Sequence, residues 1–150
     1  KINSKLIMVG DGPDKKKAKE FLRKHNLKNK VIFLGKTNQV DEILCSSDLF
    51  LLPSEKESFG LAALEAMALK VPVISSNAGG LKDLNINGNS GYTSDVGDID
   101  SMAQNAIKIL TDSSLEKKYR TQAFENAKKY DIKKVIPLYE KIYNEALNIS

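Results

Sequence analysis

The chain has 150 residues, of which 41% are hydrophobic and 28% charged, with a net charge of +4. That is the composition of one globular domain with a real core, so the expectation is a single domain over 1–150. One cysteine, Cys45, excludes an intrachain disulfide and, with one histidine, a Cys/His metal cluster; together with the short apolar runs it fits a cytoplasmic chain with no membrane span.

The elements alternate along the chain. "KLIMVG" (5–10) reads as a short buried strand and runs into the turn "GDGP". Residues 14–26 read as a helix whose Ala18, Phe21 and Leu22 share one face. That leaves Lys15, Lys16, Lys19, Arg23 and Lys24 mostly outside, which is how a solvated face looks. No aromatics interleave with these lysines as a nucleic-acid stacking surface requires, so no nucleic-acid partner is expected. "VIFLG" (31–35) is a second strand, "QVDEILCSS" (39–47) a short helix with Cys45 as a small core residue, and "LFLLP" (49–53) a third strand stopped by Pro53. Residues 58–69 read as a helix, "VPVIS" (71–75) as a fourth strand, "NAGG" as a turn, "LKDLN" as a helical piece and "GYTSD" as a fifth strand. From Asp98 onward the pattern is helical, in three segments: one opened by "DID", with Met102, Ala106, Ile109 and Leu110 on one face, then 114–130, then 131–148, in which Pro137 should kink or restart the helix.

Strands apolar on both faces and separated by helices imply an α/β fold, a Rossmann-like doubly wound parallel sheet followed by C-terminal helices. Ligands of such sheets bind outside the carboxyl ends of the strands. "SEKESFGLAALEAMA" lies at one of those ends. Ser58 is a candidate N-cap, and the amides of Phe59, Gly60 and Leu61 are then the unsatisfied donors of a helix start, a place for an anion. Glu57 precedes this start, and Glu65 sits among Leu64, Ala66 and Met67, where a carboxylate is costly to bury without a partner. Two carboxylates flanking an anion site suit a ligand with a charged middle and polyhydroxy ends, as a nucleotide sugar has. A solvent-facing Glu65 and a loop Glu57 remain the alternative.

With "GDGP" upstream and "PVISSNAGG" downstream, "SEKESFGLAALEAMA" resembles the carboxyl half of retaining GT-B glycosyltransferases of family four, over essentially the whole chain. Glu57 and Glu65 match that family's E-x(7)-E motif. The resemblance implies that Glu57 is the catalytic-site carboxylate holding the donor sugar, with Ser58 beside it. It implies further that Phe59, Gly60 and Leu61 lie near the sugar and diphosphate, Glu65 holds the ribose hydroxyls, Gly10 faces the cleft, and Gly35 and Lys36 border the base. "FLGK", "SEKESFGL" and "NAGG" followed by "VGD" are most similar to members that move N-acetylglucosamine from UDP-N-acetylglucosamine to L-malate in bacillithiol biosynthesis; other acceptors in the family are cell-surface glycans or lipid carriers. A non-catalytic basic module is the alternative of another class.

The resemblance implies no cofactor and no metal; "DID" (98–100) spells a metal motif but opens a helix, where Asp serves as a cap. It also implies that the family's first strand and helix, with a basic pair for the diphosphate, and an N-terminal domain that binds the acceptor, lie outside this sequence, so the isolated chain should be inactive. Leu69-Lys70 stands where the family has Cys-Gly, and the resulting helix end should be slightly strained or differently built. The apolar stripe of Leu138, Tyr139, Ile142 and Tyr143 either packs on this domain or stays exposed, with homo-oligomerisation as one consequence.

Overall fold

The computed structural model describes residues 2–147. The chain falls into two compact units, residues 1–43 and 44–150.

The first unit is a parallel pair, β1 (Leu6–Val9) and β2 (Val31–Gly35), joined by α1 (Lys15–Lys24). Parallel strands need a crossover, and α1 is that crossover. Lys15, Ala18 and Leu22 are its least exposed residues and form the inward stripe. The helix ends in a Schellman motif: the Leu27 amide donates to the Leu22 carbonyl at 2.8 Å, the Asn26 amide to Arg23 at 3.3 Å, and Asn26 takes a φ of 56°. Asparagine tolerates that left-handed conformation better than most residues. β1 departs from the expectation of a buried strand. Its four residues are exposed by 39–43%, because among the described residues of this unit one strand and one short helix are too little to cover both its faces.

α2 (Val40–Cys45) spans the boundary between the units. Its buried residue is Leu44, while Cys45, expected in the core, is exposed; the inward position falls one residue before the cysteine. The second unit continues with β3 (Phe50–Leu52), α3 (Leu61–Ala68), β4 (Val73–Ser76), α4 (Leu81–Leu84), β5 (Gly91–Ser94), α5 (Ile99–Thr111), α6 (Ser113–Ala127), a 3-10 turn at Lys128–Tyr130 and α7 (Ile132–Leu147). The three strands are parallel in the order β3-β4-β5. One continuous sheet was the expectation; among the described residues the strands pair as two parallel sheets.

β4 is central and wholly buried. Ile74, Ile109 and Tyr119 form the core under it, with Tyr92 meeting Tyr119 edge-to-face at 5.3 Å. α3 buries Ala63, Ala66 and Met67 and packs on α6. Asn85, fully buried, ties the sheet together: its Nδ2 donates to the carbonyls of Val73 (3.2 Å) and Tyr92 (3.0 Å) and to Ser75 Oγ (3.0 Å), and its Oδ1 accepts from Ser90 Oγ. Arg120 on α6 pairs with Glu116 at 2.8 Å and donates to the carbonyls of Lys70 and Ser47.

α3 ends as α1 does. The Val71 amide donates to Ala66 and the Lys70 amide to Met67, with Lys70 at a φ of 60°. The end at Leu69-Lys70, expected to be slightly strained or differently built, is a complete Schellman motif with lysine held in the left-handed position that favours glycine, so the slight strain is present. Its ammonium lies 5.1 Å from the centre of the Phe124 ring. α7 runs through Pro137 as one helix and is not restarted there. Its Leu138, Tyr139, Ile142 and Tyr143 are all exposed.

Candidate functional site

β3 stops at Leu52, and the chain then crosses the carboxyl end of its sheet before α3 begins. The helix starts later than the sequence suggests. Ser58 is not its cap: the Ser58 amide donates to Glu57 Oε1 at 3.1 Å, and the Ser58 carbonyl accepts from the Gly80 amide at 3.2 Å. With both its backbone groups engaged in the loop, Ser58 cannot open the helix. Gly60 is the cap instead, at φ 95° and ψ 46°. Its carbonyl accepts from the amides of Ala63 (2.9 Å) and Leu64 (3.0 Å).

This late start has a consequence for hydrogen bonding. The amides of Phe59, Gly60, Leu61 and Ala62 donate to no described residue. Every helix start leaves such amides without an intrahelical partner; Phe59, Leu61 and Ala62 are exposed here, so these donors are open to an anion. Phe59, Gly60 and Leu61 were expected to contribute; Ala62 is added by the shift of the helix.

The loop that carries Glu57 is braced from beneath by "NAGG". A Cβ on Gly79, which has a φ of 49°, would stand 1.7 Å from the Glu57 carbonyl oxygen, and one on Gly80 2.7 Å from the Ser58 carbonyl oxygen. Both positions must stay bare for the two segments to meet. The Ser76 hydroxyl adds a third brace by donating to the Ser54 carbonyl. Sequence reasoning took "NAGG" for a plain turn. The signal available was a Gly-Gly pair directly after a strand, but nothing local says what such a pair seats. Phe59 anchors the other side of the loop, edge-to-face with Tyr130 at 5.5 Å.

Glu65 is one turn into α3, about 6 Å along the axis from Leu61 at 1.5 Å per residue. Its neighbours Ala63, Ala66 and Met67 point inward, while Glu65 is exposed. Of the two readings the sequence left open, the solvent-facing one describes Glu65: the apolar run is the buried face of the helix, and Glu65 stands on the other. Its carboxylate makes no hydrogen bond or ion pair with a described residue.

In the first unit the predicted residues gather at the carboxyl ends of β1 and β2. The Gly10 amide donates to the Gly35 carbonyl at 2.8 Å, and these two glycines have φ values of 113° and 76°. Lys36 follows, exposed. In the "GDGP" turn the Gly12 amide bonds the Asp11 carboxylate at 3.0 Å and Lys15 approaches it to 3.3 Å, and both hold the Asp11 carboxyl below its ordinary range. Asp98 caps α5, accepting from the Ser101 amide at 3.0 Å. No helix among the described residues is long and apolar enough to cross a membrane.

Comparison with known proteins gives the following. Residues 1–130 match the family described as "Glycosyl transferases group 1". The chain is 40% identical to the N-acetyl-alpha-D-glucosaminyl L-malate synthase of Bacillus anthracis, across 97% of this chain and 39% of that protein. It is 34% identical to the 2-deoxystreptamine N-acetyl-D-glucosaminyltransferase of Niallia circulans, across 93% of this chain and 36% of the relative. The chain therefore spans well under half the length of these relatives. Among solved structures, a glycosyltransferase from Rickettsia africae superposes with a TM-score of 0.88 at 25% identity, covering 99% of this chain and 41% of its own. A TarM variant from S. aureus, solved with fondaparinux, alpha-GlcNAc-glycerol and UDP, superposes with a TM-score of 0.87 at 25% identity, over 93% of this chain and 29% of its own.

Proposed function

The chain belongs to the glycosyl transferases group 1 family, and we propose that it is the donor-binding part of a retaining glycosyltransferase that uses UDP-N-acetylglucosamine. The observation that carries this reading is the run of four unpaired amides, Phe59 to Ala62, between two carboxylates that face no cation. The amides receive the diphosphate and stabilise it as it leaves the anomeric carbon, an oxyanion-hole role for backbone donors already in place. Glu57 holds hydroxyls of the sugar and Glu65 those of the ribose, because a carboxylate accepts from a pair of adjacent hydroxyls and repels the phosphates between them. No metal enters this scheme.

The sugar is supported by the two relatives above, whose names both specify N-acetylglucosaminyl transfer. They differ in acceptor. We propose L-malate, and so a place in bacillithiol biosynthesis, on the higher identity of the first; a glycan or lipid acceptor is the competing outcome. The acceptor falls to parts of the protein outside this chain.

The test has two arms. In an NMR titration, UDP and UDP-N-acetylglucosamine should shift residues 57–65 and GDP-mannose should not, and Glu65→Ala should abolish the response. Equal response to both nucleotides, or indifference to Glu65→Ala, sinks the donor assignment. Full-length protein given UDP-N-acetylglucosamine should glycosylate L-malate; transfer only to 2-deoxystreptamine or a glycerol phosphate polymer would replace the acceptor and keep the rest.

A further inference from the structure

The charge on α1 is not spread evenly around the helix. Lys15, Lys19 and Arg23 follow at four-residue intervals and so stand in one row. Lys15, at the start of that row, pairs with Asp11 at 3.3 Å, and Lys17, on the opposite side of the helix, pairs with Asp14 at 2.8 Å, whereas Lys19 and Arg23 make no ion pair with a described residue. Lys28, from the segment leading into β2, comes in beside them. The three cations line a cavity of about 320 Å³ with Leu22, Val31 and Phe33 as its apolar wall. Lys19 lies 5.6 Å from the centre of the Phe33 ring. No carboxylate lines this cavity, and none of the three cations makes an ion pair with a described residue; Glu20, the nearest acid along the helix, is exposed and outside the lining. Like charges gathered against an apolar wall repel one another unless an anion joins them.

We propose that this pocket of the first unit binds a phosphate group, as a small phosphorylated molecule or as a phospholipid headgroup. Arg23 supplies the planar fork that suits two phosphate oxygens, and Lys19 and Lys28 supply point charges on either side. Leu22, Val31 and Phe33 lower the local dielectric and hold off water, which strengthens each contact. The volume limits the bound portion to a compact head. The site is independent of the amide cradle at Phe59 to Ala62, which belongs to the other unit.

The probes are pyrophosphate, followed by NMR, and vesicles of phosphatidylglycerol or of phosphatidylcholine, followed by co-sedimentation. Pyrophosphate should shift residues 19–33 saturably, separately from any shift at 59–62. Arg23→Gln and Lys19→Gln should each weaken that response about tenfold, the loss of one charge-assisted contact. Lys17→Gln removes the same charge from a paired lysine on the opposite side of the helix and should change it less than about twofold. Circular dichroism confirms that these exposed substitutions leave the fold intact. Sedimentation with phosphatidylglycerol that Arg23→Gln abolishes assigns a lipid headgroup; a pyrophosphate response without sedimentation assigns a soluble phosphate. Equal losses from all three substitutions, shifts spread around the whole of α1, or no response to either probe overturns the pocket.

Discussion

The seat of the Glu57 loop on Gly79 is the feature most open to a decisive perturbation. Gly79→Ala puts a methyl group 1.7 Å from the Glu57 carbonyl oxygen at a φ of 49°. Two costs add. The left-handed conformation alone costs an alanine about 1 kcal/mol. The contact must open by well over 1 Å, and such forced backbone shifts cost roughly 1–3 kcal/mol. Gly88→Ala supplies the control, because Gly88 has a φ of 73° and nothing within 4 Å of its added Cβ. Thermal unfolding should therefore separate the two, at roughly 2–4 °C per kcal/mol for a chain of this size. Gly88→Ala should lower Tm by roughly 3 °C and Gly79→Ala by about 5–15 °C. UDP titration of the surviving folded protein should show Gly79→Ala impaired at residues 57–60 and Gly88→Ala unchanged. Equal destabilisation by the two substitutions would refute the clash and, with it, the claim that "NAGG" positions Glu57.

Other outcomes follow from the same kind of accounting. Lys70→Gly should exceed Lys70→Ala in stability by about 1 kcal/mol, since both lose the Phe124 contact and only glycine sheds the left-handed strain; chemical denaturation of the pair measures the difference. Asn85→Ala should cost about 3–5 kcal/mol, because it strands the Val73 and Tyr92 carbonyls in a fully buried network and leaves a cavity; unfolding in urea reads it. Asp11 has its folded-state pKa depressed from 3.8, so its contribution is present above that value and is lost as pH falls through the lower folded value. Carboxyl-detected NMR should place the Asp11 midpoint below 3.8, and Lys15→Ala should raise it without restoring the ordinary value, because the Gly12 amide remains.

Much of this was legible in the sequence, and the failures have two causes. Strand β2 and the cap at Asp98 were set by local signals: a branched apolar run and an acid before a periodic helix. The misses at Ser58 and Gly79 depend on contacts distant in sequence, and those at Glu65 and Cys45 on helical phase. Ser58 is a sound N-cap by type, yet Gly80 takes its carbonyl from 22 residues away, and the helix yields two positions. Glu65 looked buried because its neighbours are apolar, although an eight-residue helix with Ala63, Ala66 and Met67 inward leaves position 65 outside. Cys45 was misplaced by a single position of helical phase relative to Leu44. Gly79 carries no mark of what it seats.

The amide cradle also sets a limit on what the second unit can do alone. Its loop and α3 carry Glu55, Glu57 and Glu65 against Lys56, a local balance of −2. A helix start offers the equivalent of about half a positive charge. A diphosphate brings roughly two negative charges, so attraction from the amides must outweigh repulsion from carboxylates that are proposed to bind hydroxyls. That arrangement favours discrimination over affinity: the carboxylates penalise phosphate everywhere except over the four amides. It also fixes a sign. Salt screens repulsion at this loop and attraction at the Lys19–Arg23–Lys28 pocket. UDP affinity at residues 57–65 should hold or rise between about 50 and 200 mM salt, whereas pyrophosphate affinity at residues 19–33 should fall over the same range. If both fall together, the carboxylates are not close enough to the bound phosphates to matter, and the roles given to Glu57 and Glu65 lose their electrostatic basis.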